Sequence, residues 1–477
     1  MKGARLLLIL IIATGVACSS GPSGGGTSDA SDERDTSQDD VAEDTASDVD
    51  DADDSPDAAD VADTADTVDT TDTTDADDVD ESACAQLPPA PTERIEPTPG
   101  ELYYIQVGLG GFSLGESALM VGPEGTIVAF DVGNDSHDDD VRDVLAHLEQ
   151  QMSSAGFPAR DADTVDHIVV THYHADHGDG VTDLLENVSL AGRIVTRGMY
   201  DLTEAANPAT AAKACDAVAA NPGSGVALCT GAEAAPCDDG TWTGTYPASG
   251  CPGLAEGDLM DPNDGASTSY FALGEARLEF LAANGVIGGE SFADQVGPLD
   301  SQDGNGENAR SILALMNHGR FRMLLTGDLT GGGDDTDDVE SFYASRLAEV
   351  SDIDERGIDV LHAGHHGRKT STNATWLARL FPSDGQARNV VMGISTAHLN
   401  SPHQEVLDRI DSQGLGGGSI WTTTVATGGD TVNSLVDADG GHIALKTVGG
   451  GDGYIVQAIN GGGQVVTSEV FAAARCP

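Results

Sequence analysis

Basic residues are scarce in this 477-residue chain, which has 22 Lys and Arg against 80 Asp and Glu and a formal net charge of −58. Such an excess of negative charge works against binding a polyanion over a wide surface, so extended nucleic-acid binding is not expected. The charge does not exclude a small phosphate ester that is drawn into a metal site.

Near the start of the chain, residues 6–12 form an apolar run that is too short to span a bilayer. Lys2 and Arg5 precede it, and small residues and Cys18 follow it. This stretch resembles a bacterial lipoprotein signal, although Gly15 stands where such signals usually have Leu. Residues 1–18 are therefore predicted to be a signal segment, with Cys18 lipidated at the cell envelope or surface. An ordinary secretory signal is the alternative, and both interpretations predict export.

Aromatic residues are almost absent from the next segment, residues 19–83. Within it, residues 29–81 hold 24 acidic side chains and one basic residue, Arg34. No core forms from this composition, and like charges keep the segment extended. We expect a disordered acidic tether that holds the folded part, residues 84–477, away from a surface.

Cysteines are few but even in number once Cys18 is set aside. An even number in an exported chain suggests disulfides, and six cysteines allow fifteen connectivities. We expect Cys84 and Cys476 to join the two ends of the domain, and the other four to cross-link the segment between residues 215 and 251. The cysteines concerned are Cys84, Cys215, Cys229, Cys237, Cys251 and Cys476.

Strand and helix patterns alternate twice along the folded part. Short apolar runs, and runs in which apolar and polar residues alternate, predict strands. Apolar residues spaced three or four positions apart predict helices. This order suggests two similar β-then-α halves packed sheet on sheet. Residues 201–270 interrupt this alternation of strands and helices. We interpret them as a Cys-rich insertion that forms a rim or lid over the site. The strands are predicted at 102–107, 117–121, 126–131, 167–171, 193–196, 276–282, 311–316, 321–326, 358–362 and 389–394, with further strands from 419 to 456. The helices are predicted at 141–152, 181–185, 339–350, 373–380 and 406–410.

The most informative motif follows the strand predicted at 167–171. It is His172-Tyr173-His174-Ala175-Asp176-His177, with three imidazoles and a carboxylate in six residues. His172 and His174 point the same way in an extended loop, whereas Asp176 and His177 lie past a bend. The two pairs of ligands therefore face two different positions, which suits two metal ions better than one. Nitrogen and oxygen ligands without thiolate favour zinc, with manganese or iron as alternatives.

Two other predicted strands end in metal-type residues. Asp328 follows an apolar strand and offers a carboxylate that can bridge two ions. His362, His365 and His366 cluster at the end of another strand. Three predicted strands therefore end in residues that commonly bind metals, and together they are stronger evidence for a metal site than any one motif.

These motifs resemble the metallo-β-lactamase superfamily of metallohydrolases. The finer resemblance is to the hydrolase domain of ComEC-like competence proteins and their relatives, which include phosphorylcholine esterases. It covers about residues 101–448. It also depends on Asp131-x-Gly133, Asn308-Ala309-Arg310-Ser311, His365-His366-Gly367 with Thr370-Ser371, and Pro402-His403-Gln404-Glu405-Val406-Leu407.

The resemblance implies an α/β (α+β) fold, a four-layer αββα sandwich with the metals at one sheet edge. It places His172 and His174 on one ion, and Asp176, His177 and His365 on the other, with Asp328 bridging. The choice between His365 and His366 stays open, and His365 is favoured. Asp131 would orient the histidine loop.

The chain departs from the superfamily pattern in one respect. A third histidine is usual between the first motif and the bridging aspartate, and here the only histidine in that interval is His318, in a predicted hairpin turn. Asn284, Asn308 or water could substitute at the first ion.

Other candidate residues are weighed against a structural role. His403 is a further candidate for metal or substrate binding, and Arg368, Lys369, Thr370 and Ser371 are candidates for holding a phosphate. The remaining histidines are interpreted as surface or structural residues: His137, His147, His167, His362, His398 and His442.

The sequence thus predicts a lipid-anchored, metal-dependent hydrolase, with Asp176 helping to hold the nucleophile. A phosphodiester attacked by metal-bound hydroxide is the favoured chemistry. A lactone, thioester or β-lactam substrate, and an inactive or metal-dependent binding module, are the alternatives.

Overall fold

The computed structural model describes residues 86–111, 113–198, 208–222, 224–228, 259–260, 270–297, 299, 304–334, 336–351, 353, 355–395, 401–414, 419–424, 436 and 438–476. The predicted signal segment, the tether and Cys18 lie outside these residues. No helix in the described part of the chain is both long and apolar enough to cross a membrane.

The described residues form two large mixed sheets and a small hairpin. The strands are β1 (Tyr103–Gln106), β2 (Ser117–Val121), β3 (Ile127–Val132), β4 (Thr164–Val170), β5 (Ser189–Thr196), β6 (Gly225–Leu228), β7 (Leu259–Met260), β8 (Tyr270–Leu273), β9 (Ala276–Ala283), β10 (Val286–Ile287), β11 (Glu290–Ser291), β12 (Leu313–His318), β13 (Phe321–Leu325), β14 (Gly331–Gly333), β15 (Thr336–Asp338), β16 (Val360–His362), β17 (Asn389–Met392), β18 (Ser419–Thr422), β19 (Ala438–Asp439), β20 (His442–Val448), β21 (Gly453–Ile459) and β22 (Val465–Ala472). The first sheet has the order β22-β21-β20-β1-β2-β3-β4-β5-β6-β7. The second has the order β11-β10-β9-β12-β13-β16-β17-β18-β19, with β8 also paired to β9.

Helices cover the outer faces of the two sheets. The helices are α1 (Asp138–Ala155), α2 (Ala175–Gly178), α3 (Gly180–Asn187), α4 (Pro208–Ala220), α5 (Phe292–Gln295), α6 (Gly304–Asn308), α7 (Val339–Ala344), α8 (Leu347–Val350), α9 (Ala374–Leu380) and α10 (Gln404–Ser412). One buried cluster joins the outer face of the first sheet to α1, α3 and α4. Another joins the outer face of the second sheet to α7, α9 and α10.

The inner faces of the sheets pack on each other. Their shared cluster contains Tyr104 and Val128 from the first sheet and Leu278 and Met316 from the second. Neighbours along β1 alternate between the two cores, because successive strand side chains point to opposite faces. The predicted four-layer αββα order is confirmed.

Helix α1 shows how sequence and packing agree. The predicted apolar stripe is buried, its first turn is acidic, and the helix ends at Gly156 with a φ of 90°. Acidic residues favour a helix N-terminus, and a left-handed glycine is a common stop.

Several predicted elements differ from the observed ones. The predicted helix 339–350 is two helices, α7 and α8, separated by Ser345 and Arg346. In the described part of the predicted insertion, α4 packs on α2 and α3, and β6 and β7 extend the first sheet. Its interpretation as a rim or lid stays a prediction. Most of the insertion, including Cys229, Cys237 and Cys251, lies outside the described residues.

The predicted disulfides remain predictions. Cys84 lies outside the described residues, Cys476 is buried near the end of the chain, and Cys215 is buried on α4.

The topology brings four parallel strand ends to one edge of the sandwich. In the first sheet β3 pairs in parallel with β4, and in the second β13 pairs in parallel with β16. Polar residues that directly follow these strands can therefore meet at one place.

Candidate metal centre

Asp131 organises the loop that carries the histidine motif. It lies in β3 with a φ of 55°, a conformation that non-glycine residues rarely adopt. Its carboxylate accepts hydrogen bonds from the Thr171 backbone N–H at 2.8 Å and hydroxyl at 2.7 Å. His177 Nδ1 lies 2.8 Å from the same carboxylate. The bond to Asp131 holds the proton on Nδ1 and leaves His177 Nε2 available as a ligand.

A second buried carboxylate, Glu307, holds the middle of the same loop. It accepts a hydrogen bond from the Tyr173 backbone N–H at 2.7 Å, and Arg197 pairs with it at 2.6 Å with both side chains fully buried. The Arg197 guanidinium also lies over the Tyr173 ring, 4.8 Å from its centroid. These contacts fix Tyr173 between His172 and His174, and so position the part of the chain that carries both imidazoles.

Asp328 belongs to the second sheet's side of the centre and follows the end of β13 after Thr326 and Gly327. Its backbone N–H donates to Ser311 Oγ at 3.1 Å. Gly327 before it has a φ of +51°, and a Cβ there would lie 2.9 Å from the Thr171 side chain. The close approach of the two loops therefore requires glycine at this position.

His365 and His366 follow β16 in a single tight turn. Both have a φ of 52°, the left-handed region that favours glycine, and this turn points their rings in different directions. His366 Nε2 lies 3.5 Å from Asp176 Oδ2 and 3.7 Å from Asp328 Oδ2. The structure thus places His366 beside Asp176 and His177, where the sequence analysis had favoured His365.

His365 faces another part of the centre. Its Nε2 lies 4.0 Å from Asp328 Oδ2 and 3.3 Å from Asn308 Nδ2, and its Nδ1 lies 2.8 Å from Thr370 Oγ1. His365 is thus on the Asp328 side of the site, with a ring orientation fixed by Asn308 and Thr370.

Two groups of side chains have the geometry to hold a metal ion, and Asp328 belongs to both. The first ligand group is His172, His174 and Asp328, and the second ligand group is Glu116, His177, Asp328 and His366. In each group the ligand atoms lie within 4.8 Å of one another. His172 Nε2, for example, lies 3.1 Å from His174 Nδ1.

The atoms that face the centre fit a metal ion. His177 Nε2 and Asp328 Oδ1 are buried and 3.2 Å apart, and neither has a hydrogen-bond partner of suitable geometry among the described residues. Buried polar atoms normally have partners, and imidazole nitrogen and carboxylate oxygen are metal ligands. The donor set of the centre therefore fits divalent cations.

The electrostatics of the centre favour positive charge. Burial opposes ionisation of Asp328, but the charges of His177, His366 and His365 hold its pKa well below its usual range. Burial likewise opposes protonation of His366, yet Asp328, Asp176 and Glu116 raise its pKa to about 10. Protonated imidazoles or divalent cations can supply the positive charge that the buried carboxylates require.

The pKa values of His172 and His365 shift in the opposite direction to that of His366. Burial, aided by the charge of His177, lowers the pKa of His172 well below its usual range. Burial also lowers the pKa of His365, to about 3. Both rings are therefore neutral, the form in which imidazole binds a metal.

Neither asparagine considered for the missing third histidine is placed as a clear substitute. The Asn284 amide is engaged with Arg197, whose Nη1 donates to Asn284 Oδ1 at 3.0 Å. Asn308 lies against His365 through its Nδ2, while its Oδ1 is buried without a partner in the described part of the chain. His318 is remote from the site and lies 2.9 Å from Thr447 Oγ1.

The loop after His366 uses most of its polar groups to maintain its own shape. Ser371 Oγ donates to the Gly364 carbonyl at 2.7 Å, and Lys369 pairs with Asp334. Arg368 is half-buried and its charge contributes to lowering the pKa of His365. His403, the residue before α10, donates its backbone N–H to the Gly367 carbonyl at 2.8 Å.

Sequence reasoning did not identify Glu116, and it placed His362 among structural histidines. Both are buried, and Glu116 Oε1 lies 2.7 Å from His362 Nε2. Glu116 directly precedes β2, and no motif marks it. Only the fold brings it to residues 362 and 366.

No family model matches this chain. Recombination protein 2 of Haemophilus influenzae is 31% identical over 107 residues, which are 22% of this chain and 11% of that protein. The chain thus spans about a tenth of the length of that curated relative.

Solved structures overlap the fold only in part. The match to Rm3 metallo-beta-lactamase covers 57% of this chain and 78% of the Rm3 chain, at 14% identity and a TM-score of 0.26. Metallo-beta-lactamase SMB-1 bound to 2-mercaptoethanesulfonate covers 68% and 98%, at 14% identity and a TM-score of 0.29. CmlA, a diiron beta-hydroxylase from Streptomyces venezuelae, covers 72% and 48%, at 14% identity and a TM-score of 0.29.

The described residues have a mixed α/β fold with a candidate centre for divalent metal.

Proposed function

We propose that the chain is an exported metal-dependent hydrolase that acts on a phosphodiester. The observation that carries the proposal is Asp328, a buried carboxylate shared by two groups of imidazole and carboxylate side chains. A shared carboxylate is what two neighbouring ions need, and two such ions when bound activate water and stabilise charge on the oxygens of an ester.

His172, His174 and Asp328 would hold the first ion. His177, His366 and Asp328 would hold the second, with Asp176, whose Oδ2 lies 3.5 Å from His366 Nε2, in place of Glu116. The two oxygens of Glu116 instead face imidazole nitrogens of His362 and His366. Nitrogen and oxygen ligands without thiolate favour zinc, with manganese or iron as alternatives. Asp176 is 18% exposed in its side chain, so it can also accept a hydrogen bond from water at the mouth of the centre.

Arg368 supports an anionic substrate. It is half-buried next to His365 and forms no ion pair with any described residue. A guanidinium at that position suits the non-bridging oxygens of a phosphodiester better than a neutral lactone or thioester. The acidic charge of the whole chain favours a small substrate over a polyanion.

Export and lipid anchoring rest on the sequence alone. Residues 1–18 resemble a lipoprotein signal, and Cys18 is the proposed lipidation site. The acidic segment up to residue 83 would hold the catalytic domain away from the membrane surface. Labelling with a radioactive fatty acid in the native host, compared between the wild type and Cys18→Ala, tests the anchor.

The activity is tested with bis-p-nitrophenyl phosphate. We expect turnover by the purified protein, loss of turnover in the Asp176→Ala/His177→Ala double variant, and unchanged turnover in His147→Ala. His147 is a suitable control because it pairs with Glu96 away from the centre. Unchanged turnover in the double variant would contradict the proposal.

The same samples separate the competing substrate classes. Turnover of a chromogenic lactone, thioester or β-lactam, without turnover of the phosphodiester, would reassign the substrate while keeping the metal centre. Fewer than about half an equivalent of bound metal per chain, with no turnover of any substrate, would indicate a binding module instead.

A further inference from the structure

We propose that Glu116 is a positioning residue that fixes His366 for metal binding and joins the two halves of the centre. The proposal rests on the metal centre proposed above. It assigns to Glu116 an orienting role, distinct from that of a metal ligand.

The carboxylate of Glu116 lies between two imidazoles. Its Oε2 is 2.9 Å from His366 Nδ1, and its Oε1 is 2.7 Å from His362 Nε2. The side chain of Glu116 is 3% exposed, so neither contact competes with bulk water. Burial of a carboxylate between two imidazoles costs little free energy only when both rings point N–H groups toward it.

The Gly393 carbonyl and the Glu116 carboxylate together select the tautomer of His366. His366 Nδ1 is hydrogen-bonded to the Gly393 carbonyl at 2.8 Å, and Glu116 Oε2 lies 2.9 Å from the same nitrogen as a charge contact without hydrogen-bond geometry. The Nδ1 atom must therefore carry a hydrogen. In the neutral ring the lone pair is then on Nε2, the nitrogen that faces Asp176 and Asp328.

The position of Glu116 depends on a glycine beside it. A Cβ at Gly393 would lie 2.8 Å from Glu116 Cγ and 2.2 Å from Gln106 Nε2. A larger residue at position 393 would therefore displace the Glu116 side chain.

The backbone of Glu116 reaches the other half of the centre. Its N–H donates to the Asp176 carbonyl at 2.9 Å. Asp176 lies in α2, which follows β4 of the first sheet, whereas His366 follows β16 of the second. One residue therefore fixes the positions of two ligands of the same proposed ion that come from different sheets.

A glutamine at this position would have nearly the same shape but the wrong hydrogen-bonding groups. With its NH₂ group toward His366, the glutamine would place a donor against the Nδ1–H. With its NH₂ group toward His362, it would require the His362 proton to move to Nδ1, which is buried without a hydrogen-bond partner among the described residues. Glu116→Gln therefore disturbs His366 without creating a cavity. Glu116→Asp keeps the charge with a shorter reach and is the conservative variant.

The experiment measures metal affinity as well as activity. The wild type, Glu116→Gln, Glu116→Asp and Asp359→Asn are titrated with Zn²⁺ against a chromogenic chelator and with Co²⁺ by its visible spectrum. Asp359 is a matched control, because it is a buried carboxylate that accepts two backbone N–H groups at the opposite end of β16. Urea unfolding of each variant in excess chelator gives its metal-free stability.

We expect the second metal equivalent to bind about 10- to 100-fold more weakly in Glu116→Gln, with a changed Co²⁺ spectrum. The first equivalent should change less, Glu116→Asp should lose less than Glu116→Gln, and Asp359→Asn should bind both equivalents like the wild type. A wild-type affinity for both equivalents in Glu116→Gln would overturn the inference. So would an equal loss in Asp359→Asn, because Glu116 would then contribute only stability. A wild type that binds no metal would instead overturn the metal centre itself.

Discussion

Arg197 and Glu307 form an ion pair with both side chains fully buried, and the Arg197 Nη2 and Glu307 Oε2 atoms lie 2.6 Å apart. The pair does more than neutralise itself, because Glu307 also accepts the backbone N–H of Tyr173 in the histidine motif. The position of His172 and His174 thus depends on two residues that are more than 20 and 130 positions away along the chain.

Replacing one partner of this pair should destabilise the protein strongly. Arg197→Met leaves the Glu307 carboxylate buried without its countercharge, which typically costs about 3–5 kcal/mol. Urea unfolding at neutral pH measures the loss. Arg142→Met is the matched control, because Arg142 pairs with Asp138 and Asp139 at the surface and should cost about 1 kcal/mol or less. Equal losses in the two variants would contradict the role assigned to the buried pair.

Asp131 should influence metal binding without touching the metal. Asp131→Asn keeps the size of the side chain, but one of its terminal atoms becomes a donor that faces either His177 or Thr171. We expect the affinity for the second equivalent of Zn²⁺ to fall about 10- to 100-fold, as for other residues that orient a ligand. Chelator competition measures the affinity.

The choice of control matters for the Asp131 variant. Asp166→Asn changes a carboxylate on the same sheet that accepts the Ile127 backbone N–H, remote from the motif. Its metal affinity should stay at the wild-type value. An Asp131→Asn variant that binds both equivalents normally would show that the contact to His177 has no effect on the ligand.

The layered fold could be predicted from the sequence, and so could most of the side chains that the candidate centre brings together. Apolar strands that end in His172 or Asp328 carry their own signal, because strand ends and ligands lie next to each other in the chain. The four-layer order followed from the repeated β-then-α pattern together with the family resemblance.

The supporting residues could not be predicted, because their partners are distant in sequence. Glu116 and Glu307 are single acidic residues in an acidic chain, and only the fold shows that they are buried beside His366 and Tyr173. The order of His365 and His366 was also not decided by the sequence. It depends on backbone dihedral angles in one turn, where two consecutive residues have a positive φ.

The two adjacent histidines should give different defects when each is replaced. His366→Ala removes a side chain that faces Asp176 and Asp328, so it should abolish high-affinity binding of the second metal equivalent. His365→Ala should leave that equivalent bound and instead alter the site near Asn308. Metal content after dialysis, measured by mass spectrometry, distinguishes the variants. The reverse pattern would support the assignment of His365 to Asp176 and His177.

Glu340 predicts a pH dependence of stability that is separate from the metal. It is fully buried on α7 and accepts the backbone N–H groups of Thr372 and Asn373 at 2.6 and 2.7 Å. Burial raises its pKa from the ordinary value of 4.5 to about 8, although the two backbone hydrogen bonds oppose the shift. Between pH 4.5 and 8 the folded protein therefore holds a proton at Glu340 that the unfolded chain has lost.

The sign of the effect follows from this difference. The stabilisation is fully present below pH 4.5 and is lost as the pH rises to about 8, at no more than about 1.4 kcal/mol per pH unit. The Glu340→Gln variant has no titrating group at this position. Its free energy of unfolding should therefore increase relative to that of the wild type as the pH rises over that range. Urea unfolding at pH 5, 6, 7 and 8 in excess chelator measures the difference, with the exposed Glu124→Gln as control. Parallel pH profiles for the wild type and Glu340→Gln would show that Glu340 is ionised in the folded protein, with its two backbone hydrogen bonds outweighing the cost of burial.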